Sequence, residues 1–206
     1  MRITLFIGLA FIFMGITSCK KSFLEAKPYS FIETEKFYKT AADAESALAG
    51  CYNMLNSSDY GRMFGETVFF LINGGNDECL TRAGVANSFS PFGNGSYTAA
   101  ETELKSVWEA LYAGTNRCNH LIEKIDAIEM NAGRKSEIKG EALFLRGFYH
   151  MYLALMFGAV PVNTEADPDF FAPRTAVQEV YNQVLADFTA AAGMLPPRAG
   201  IGGRAN

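Results

Sequence analysis

One stretch of the sequence, residues 136–157, is apolar on nearly every side of a helix. Its two sides carry Leu143, Phe144, Phe148, Met151 and Leu155, and Leu145, Tyr149, Tyr152 and Met156. A helix with so little polar surface has to be covered by other elements. Gly158 and Pro161 mark its end, because glycine stops a helix and proline prevents its continuation. The sequence therefore predicts a helical core with this segment at its centre.

Helical spacing of apolar residues also marks three other segments. They are residues 40–55, 99–128 and 177–195. Gly114 lies inside the second of them, where it costs about 1 kcal/mol of helix stability. A bend or a close contact with a neighbouring element is therefore expected at Gly114.

The helix starts carry capping signals. Thr40 followed by Asp43 forms a capping box, and Thr175 followed by Gln178 forms a second one. Ser136, after a break at 131–133, is the expected cap of the central helix. These signals predict where three of the four helices begin.

A long segment without steady periodicity, residues 57–98, separates the first two helices. It is rich in Gly, Asn and Ser, yet it holds several aromatic side chains. Loops of this length within a compact domain are usually functional or disordered, and the aromatic content argues against disorder. A second connection, residues 159–173, contains Pro and Asp.

The N-terminus has the pattern of an export signal. After Arg2, residues 3–18 are uncharged and mostly apolar, which is too short for a membrane-spanning helix. Small residues then precede Cys19, and this ending resembles the lipobox of bacterial lipoproteins, in which the cysteine is acylated. We expect a signal peptide at 1–18, a lipidated tether at 19–33 and a helical domain at 34–206. The alternative is an ordinary secreted protein in which Cys19 is incidental.

Charge and motif content exclude several functional classes. A formal net charge of −4 lacks the basic footprint of a nucleic-acid-binding protein. The four cysteines show no CxxC spacing and the two histidines are far apart, so no metal site or cofactor is predicted. Cys51 and Cys118 fall on apolar helix faces and are expected to be small buried residues.

Four residues of the predicted helices are assigned to structure. Arg146 sits in an apolar helix and needs a partner, for which Glu141, Asp126 or a main-chain carbonyl could serve. His150 is expected to be a buried, hydrogen-bonded histidine. Trp108 and Tyr112 are expected to pack in the core.

The sequence ends in a glycine-rich stretch with no further helix pair. Stacked helix pairs bury their faces against the next pair, so we expect the chain to be the N-terminal part of a longer protein, an incomplete domain. The helix at 177–195 should then expose apolar side chains.

Several segments, taken in order, resemble the SusD/RagB family of outer-membrane nutrient-uptake lipoproteins. They are Cys19 with Phe23-Leu24-Glu25; Phe37-Tyr38-Lys39-Thr40 with Asp43 and Ala44; Val107-Trp108-Glu109-Ala110-Leu111-Tyr112 with Asn116 and Asn119; Glu141-Ala142-Leu143-Phe144-Leu145-Arg146-Gly147-Phe148-Tyr149; Phe157-Gly158-Ala159-Val160-Pro161; and Arg174-Thr175 with Val180, Tyr181 and Asp187. The resemblance covers nearly the whole chain.

This resemblance implies a mainly α fold of tetratricopeptide-like antiparallel helix pairs with long loops and at most small strands. It further implies a lipid-anchored protein of the cell surface that captures oligosaccharides without catalysis and passes them to a SusC-like TonB-dependent transporter in the outer membrane. Two alternatives stay open: a peptide-binding member of the family, and a helical-repeat scaffold that binds a protein partner and no small ligand.

The segment 77–97 offers the side chains that a sugar site needs. Sugars stack their apolar C–H faces on aromatic rings and exchange hydrogen bonds with amides, carboxylates and guanidinium groups. The candidate ligand residues are Asp77, Arg82, Asn87, Phe89, Phe92, Asn94 and Tyr97. The alternative for each aromatic residue is that it pins the loop to the helices.

Overall fold

The computed structural model describes residues 37–55, 64, 67–78, 89–169, 171–197 and 204–205, and most of these residues are helical. The helices are α1 (Ala41–Asn53), α2 (Val68–Asn73), α3 (Ser90–Asn94), α4 (Thr102–Lys124), α5 (Ala132–Phe157) and α6 (Val177–Met194), with a 3₁₀ turn at Ile125–Ala127. The described residues contain no strand, and an isolated antiparallel bridge joins Val160 to Thr175. The predicted mainly α fold is confirmed. The expected signal peptide and tether lie outside the described residues.

The start of α1 is built as the sequence predicts. The Thr40 hydroxyl accepts the Asp43 N–H at 3.2 Å, and the Asp43 carboxylate accepts the Thr40 N–H at 2.8 Å. Hydrogen bonds from the Thr40 and Lys39 backbone lower the pKa of the Asp43 carboxyl. The capping box therefore holds the entry to the first long helix.

The central helix α5 begins earlier than predicted. Asn131, and not Ser136, is its N-cap, and its side chain accepts the Arg134 N–H at 3.0 Å. Asparagine is among the best N-cap residues. Gly133 lies in the first turn, where the N–H groups have no helical partner, and a glycine there destabilises the helix little. The predicted cap at Ser136 was wrong, because Gly133 had been interpreted as part of a break before the helix.

The start of α6 also differs from the prediction. Its N-cap is Ala176, with no side-chain cap. Thr175 instead belongs to the bridge: its N–H donates to the Val160 carbonyl at 3.0 Å, and its hydroxyl accepts the Val162 N–H at 3.3 Å. The predicted second capping box was wrong because a tertiary partner takes the hydroxyl. The bridge closes the connection between α5 and α6 at its base.

Helix α5 lies at the centre of the fold, as predicted, and packs against α1, α4 and α6. Its buried positions include Leu145, Tyr149 and Leu153. The Tyr149 hydroxyl donates to the Cys51 carbonyl at 2.6 Å and so ties α5 to α1. Cys51 and Cys118 are buried free thiols, as expected. Burial, and after it the adjacent Cys51 thiol, raise the pKa of Cys118.

Arg146 of α5 finds a different partner from the two acids proposed above. Its guanidinium binds both carboxylate oxygens of Asp187 in α6, at 2.6 and 2.9 Å. Its Nη1 also donates to the Thr164 carbonyl, so the expectation of a main-chain partner is confirmed. Glu141 is engaged elsewhere, accepting hydrogen bonds from Tyr52 and Arg134.

The outer side of α6 carries exposed apolar side chains, as expected. Leu185 is 62% exposed and Val177 is 38% exposed, whereas Val180, Val184 and Ala191 are buried against the rest of the fold. Among the described residues, no helix combines the length and the apolar character needed to span a bilayer.

Candidate functional site

The structure describes five of the seven candidate ligand residues. Cys19, Arg82 and Asn87 lie outside the described residues. The other five belong to a small unit made by residues 67–78 and 89–97, which we call the aromatic surface: Asp77, Phe89, Phe92, Asn94 and Tyr97.

Aromatic stacking holds the aromatic surface together. Phe70 of α2 stacks on Phe89, with ring centroids 4.7 Å apart and planes inclined by 24°. Phe92 of α3 is only 5% exposed, so its ring supports the unit from within. The pinning role expected as an alternative thus describes Phe92 better than a ligand contact does.

Tyr97 presents its ring to solvent. The ring stacks on Phe92 with centroids 5.2 Å apart and planes inclined by 22°, and the residue is 55% exposed. One face is therefore covered by Phe92 and the side chain is held in place, while the rest of the ring stays open. An aromatic ring fixed in this way is a flat apolar platform of the kind sugars stack on.

Two polar residues belong to the same small unit as Tyr97. The turn before Asp77 touches α3, because a Cβ on Gly75 would lie 2.8 Å from the Phe92 carbonyl oxygen. Asp77 itself is exposed. The Asn94 carboxamide oxygen accepts the Ser96 hydroxyl at 2.6 Å, which leaves its exposed NH₂ group to donate. The aromatic surface thus combines a ring, a carboxylate and an amide donor.

A second concave feature, which we call the Trp108 cleft, opens between α4 and the connection 161–172. Its volume is about 720 Å³, within the range of small-molecule sites. Trp108, Tyr112 and Asn116 line it from α4. The other wall comes from the connection: Pro161, Val162, Asn163, Thr164, Glu165, Pro168, Asp169 and Ala172.

Packing fixes the aromatic wall of this cleft. The Trp108 ring meets Phe157 edge to face at 5.0 Å and Tyr112 at 4.8 Å. The Tyr112 hydroxyl donates to the Pro161 carbonyl at 2.7 Å and so joins the two walls. Burial raises the pKa of Tyr112 to about 12, so the hydroxyl keeps its proton.

Hydrogen bonds from buried groups fasten the opposite wall. The Asn119 amide donates to the carbonyls of Asn163 and Glu165, at 3.2 and 2.9 Å. The Asn163 N–H donates to His150 Nε2 at 3.2 Å, and the Arg146 guanidinium reaches the Thr164 carbonyl. The connection is therefore held at successive residues rather than at its ends alone.

His150 is a buried, neutral residue beneath this wall. Its Nε2 accepts a hydrogen bond, which places the proton on Nδ1, 3.1 Å from the Arg146 carbonyl oxygen. Burial lowers the pKa of His150 to about 4, and the Arg146 charge acts in the same direction, whereas Asp187 opposes it. The expectation of a hydrogen-bonded structural histidine is confirmed.

One residue that lines the Trp108 cleft, Asn116, has a polar atom without a partner among the described residues. The Oδ1 atom of Asn116 is buried and accepts no hydrogen bond from any described residue. Unpaired buried acceptors are uncommon in native proteins and call for an explanation.

Sequence reasoning missed the Trp108 cleft. It assigned Trp108 and Tyr112 to core packing, which holds for the sides that meet Phe157 and each other but not for the sides that line the cleft. The available signal was the spacing of Trp108, Tyr112 and Asn116, four residues apart, which continues an aromatic helix face with an amide. Nothing in the sequence placed the connection across that face.

Within the described ranges, no group of three or more His, Cys, Asp or Glu side chains is arranged so that it could hold a metal ion.

Comparison with known proteins gives a consistent match over most of the chain. Residues 22–200 match the model of a SusD-like family described as "Starch-binding associating with outer membrane". The chain is 31% identical over 186 residues to SusD-like protein P38 of Formosa agariphila, which covers 87% of this chain and 35% of that protein. The chain thus spans about a third of the length of the curated relatives it matches.

Solved structures show the same fold. A SusD superfamily protein from Bacteroides vulgatus superposes with a TM-score of 0.73 at 24% identity, over 81% of this chain and 37% of that one. A laminarin-binding SusD-like protein superposes with a TM-score of 0.69 at 27% identity, over 81% of this chain and 37% of that one.

Proposed function

The chain belongs to the SusD-like family, and from this premise we propose that it captures oligosaccharides at the cell surface and delivers them to a SusC-like TonB-dependent transporter of the outer membrane. The family model is described as starch-binding and associated with the outer membrane, and a related structure is that of a laminarin-binding protein. These relatives support a glycan as the class of ligand.

The exposed ring of Tyr97 is the observation that carries this proposal. A tyrosine that is 55% exposed and stacked on a buried Phe92 keeps one orientation without a ligand. Little side-chain freedom is then lost when a sugar stacks on it, which favours binding. Asp77 and Asn94 add an acceptor and a donor for sugar hydroxyls.

The proposal includes no chemical step. We propose that the protein binds and releases its glycan unchanged, as a carrier that feeds a transporter. Release of reducing ends from a bound polysaccharide would contradict this part.

Attachment to the membrane is proposed through Cys19. Several acyl chains hold a protein firmly, since each buried CH₂ contributes about 0.8 kcal/mol. Labelling with radioactive palmitate should be lost in Cys19→Ala and should fall with globomycin, an inhibitor of the lipoprotein signal peptidase. A Cys19→Ala protein that still partitions with membranes would contradict the anchor.

Affinity electrophoresis tests the proposed ligand class. The chain with Cys19→Ala is run through gels that contain laminarin, starch, xylan or galactan, with a gel free of polysaccharide as the control. Retardation by at least one of these neutral polysaccharides is expected. Unretarded migration in all four gels would contradict glycan capture.

A protein-binding scaffold is the second candidate. Leu155 and Leu185 are each 62% exposed, and such side chains favour contact with a protein partner. This candidate predicts co-purification with a partner from the native membrane and no retardation in the gels.

A further inference from the structure

The Trp108 cleft has the features of a ligand site separate from the aromatic surface. We propose that it binds one neutral sugar ring as a second glycan site, an inference that rests on the proposed function for its ligand class. Its volume of about 720 Å³ exceeds what one sugar ring needs, so a ring can enter with its neighbours in the chain left outside.

The indole of Trp108 supplies the stacking surface. Phe157 and Tyr112 pack against the indole and fix its orientation, yet the residue is only half-buried and lines the cleft. The hydrogen bond from Tyr112 to Pro161 joins the aromatic side of the cleft to the opposite wall. An indole ring held in one orientation suits the C–H face of a sugar.

Asn116 supplies an unpaired hydrogen-bond acceptor. Its buried Oδ1 has no donor among the described residues, whereas the amide group of the neighbouring Asn119 donates to two main-chain carbonyls. Because Oδ1 itself is shielded from solvent, the Asn116 carboxamide has to turn toward the cleft, where a sugar hydroxyl would supply the missing donor. An unpaired acceptor of this kind costs stability in the free protein, and a ligand donor removes that cost.

The charges around the cleft select against acidic sugars. Glu109, Glu165 and Asp169 are its charged lining residues, and all three are carboxylates. Lys105 pairs with Glu109 at 3.6 Å in an exposed position, and Arg174 acts on Tyr112 from outside the lining. Carboxylates accept hydrogen bonds from hydroxyls and repel a uronate, so the cleft favours a neutral ring.

Trp108 is the only tryptophan of the chain, so its fluorescence reports on this cleft alone. The experiment titrates the Cys19→Ala chain with the methyl glycosides of glucose, galactose, mannose and xylose, and with the methyl glycosides of glucuronate and galacturonate as matched acidic probes. At least one neutral probe should change the emission saturably, and its uronate should bind at least about tenfold more weakly.

Replacing the acceptor separates a ligand role from a structural one. Asn116→Leu should weaken the neutral probe by about tenfold or more, while the melting temperature stays unchanged or rises because an unpaired polar group is removed. Asn53→Leu, an exposed amide outside the cleft, is the matched control and should keep the full response. Asn116→Ala removes the same acceptor without adding volume and should repeat the result if leucine does not fit.

The outcomes distinguish this proposal from the proposed function. If a polysaccharide retards the chain but no glycoside changes Trp108 emission, the cleft proposal is wrong and glycan capture stands. An emission change that Asn116→Leu and Asn116→Ala both retain, or that the uronates produce equally well, also overturns it. A response that persists in Tyr97→Ala supports two separate sites.

Discussion

The contact between Arg146 and Asp187 decides how the last helix meets the core. The guanidinium and the carboxylate are both buried and joined by two hydrogen bonds, so each charge is compensated by the other. Removing one partner of a buried pair leaves an uncompensated charge in the interior. The pair therefore sets the register of α6 on α5.

Asp187→Ala should destabilise the chain by about 3–5 kcal/mol. Urea unfolding followed by circular dichroism measures the change against Asp167→Ala, an exposed aspartate whose loss should stay within about 0.5 kcal/mol. The double variant Arg146→Met/Asp187→Leu should recover most of the loss. A loss below about 1 kcal/mol in Asp187→Ala would show that the pair is not coupled to folding.

His150 should make stability depend on pH on the acidic side. Its pKa is about 4 in the folded chain and about 6.5 when unfolded, so the unfolded chain takes up the proton first as the pH falls. The contribution of His150 to stability should be constant above pH 7 and should fall between pH 6.5 and 4, by at most about 1.4 kcal/mol per pH unit.

A comparison with His150→Gln isolates this effect, because the glutamine oxygen can accept the Asn163 N–H but does not titrate. Urea unfolding at a series of pH values should give a steeper loss of stability for the parent chain than for the variant between pH 6.5 and 4. Parallel curves over that range would contradict the assignment of His150.

Residue-level chemistry was only partly predictable from sequence. The capping box at Thr40 uses residues three apart, and local spacing identified it. The partner of Arg146 lies 41 residues away in α6, and no local pattern indicates which acid a distant helix brings. The Thr175 hydroxyl does not cap α6, because it accepts the Val162 N–H from 13 residues away, a partner that no local pattern indicates.

Among the elements, close approach between helices depends on glycine. A Cβ on Gly114 of α4 would lie 2.6 Å from the Tyr149 ring, and one on Gly147 of α5 would lie 2.9 Å from the Phe188 ring. The Tyr149 ring cannot yield easily, since it is fully buried and its hydroxyl is bonded to Cys51. The close contact expected at Gly114 is thus confirmed.

Gly114→Ala should cost about 1–3 kcal/mol, because overpacking outweighs the roughly 1 kcal/mol gained in helix propensity. Gly50→Ala is the matched control: a Cβ there meets nothing within 4 Å, so the same exchange in α1 should stabilise the chain by up to about 1 kcal/mol. Shifts of the urea midpoint in opposite directions are expected. Stabilisation by both substitutions would contradict close packing at Gly114.

The elements themselves were largely predictable, since apolar periodicity located α1, α4, α5 and α6 to within a few residues. The Trp108 cleft was not predictable, because it forms where the connection 161–172 lies against α4. Hydrogen bonds with the side chains of Asn119, Arg146 and His150 hold the connection there. Those three side chains donate to or accept from main-chain groups of the connection. Such side-chain-to-backbone contacts leave no periodic trace in a sequence.

At the scale of the whole molecule, the described part of the chain is a helical scaffold of the SusD-like family. It carries two candidate ligand sites, the aromatic surface and the Trp108 cleft. The buried face of each long helix contributes to the core, and the segments between the long helices carry the aromatic surface and one wall of the Trp108 cleft. Our proposal of glycan capture depends on the exposed ring of Tyr97, which is stacked on the buried Phe92.

The most direct test of that claim compares two exposed aromatic residues. Isothermal titration with the neutral polysaccharide that retards the chain should show the affinity of Tyr97→Ala reduced by about tenfold, or ~1.4 kcal/mol. Phe171→Ala, at a residue 95% exposed and outside the aromatic surface, should bind as the parent chain does. Unchanged affinity in Tyr97→Ala, or an equal loss in both variants, would contradict the account.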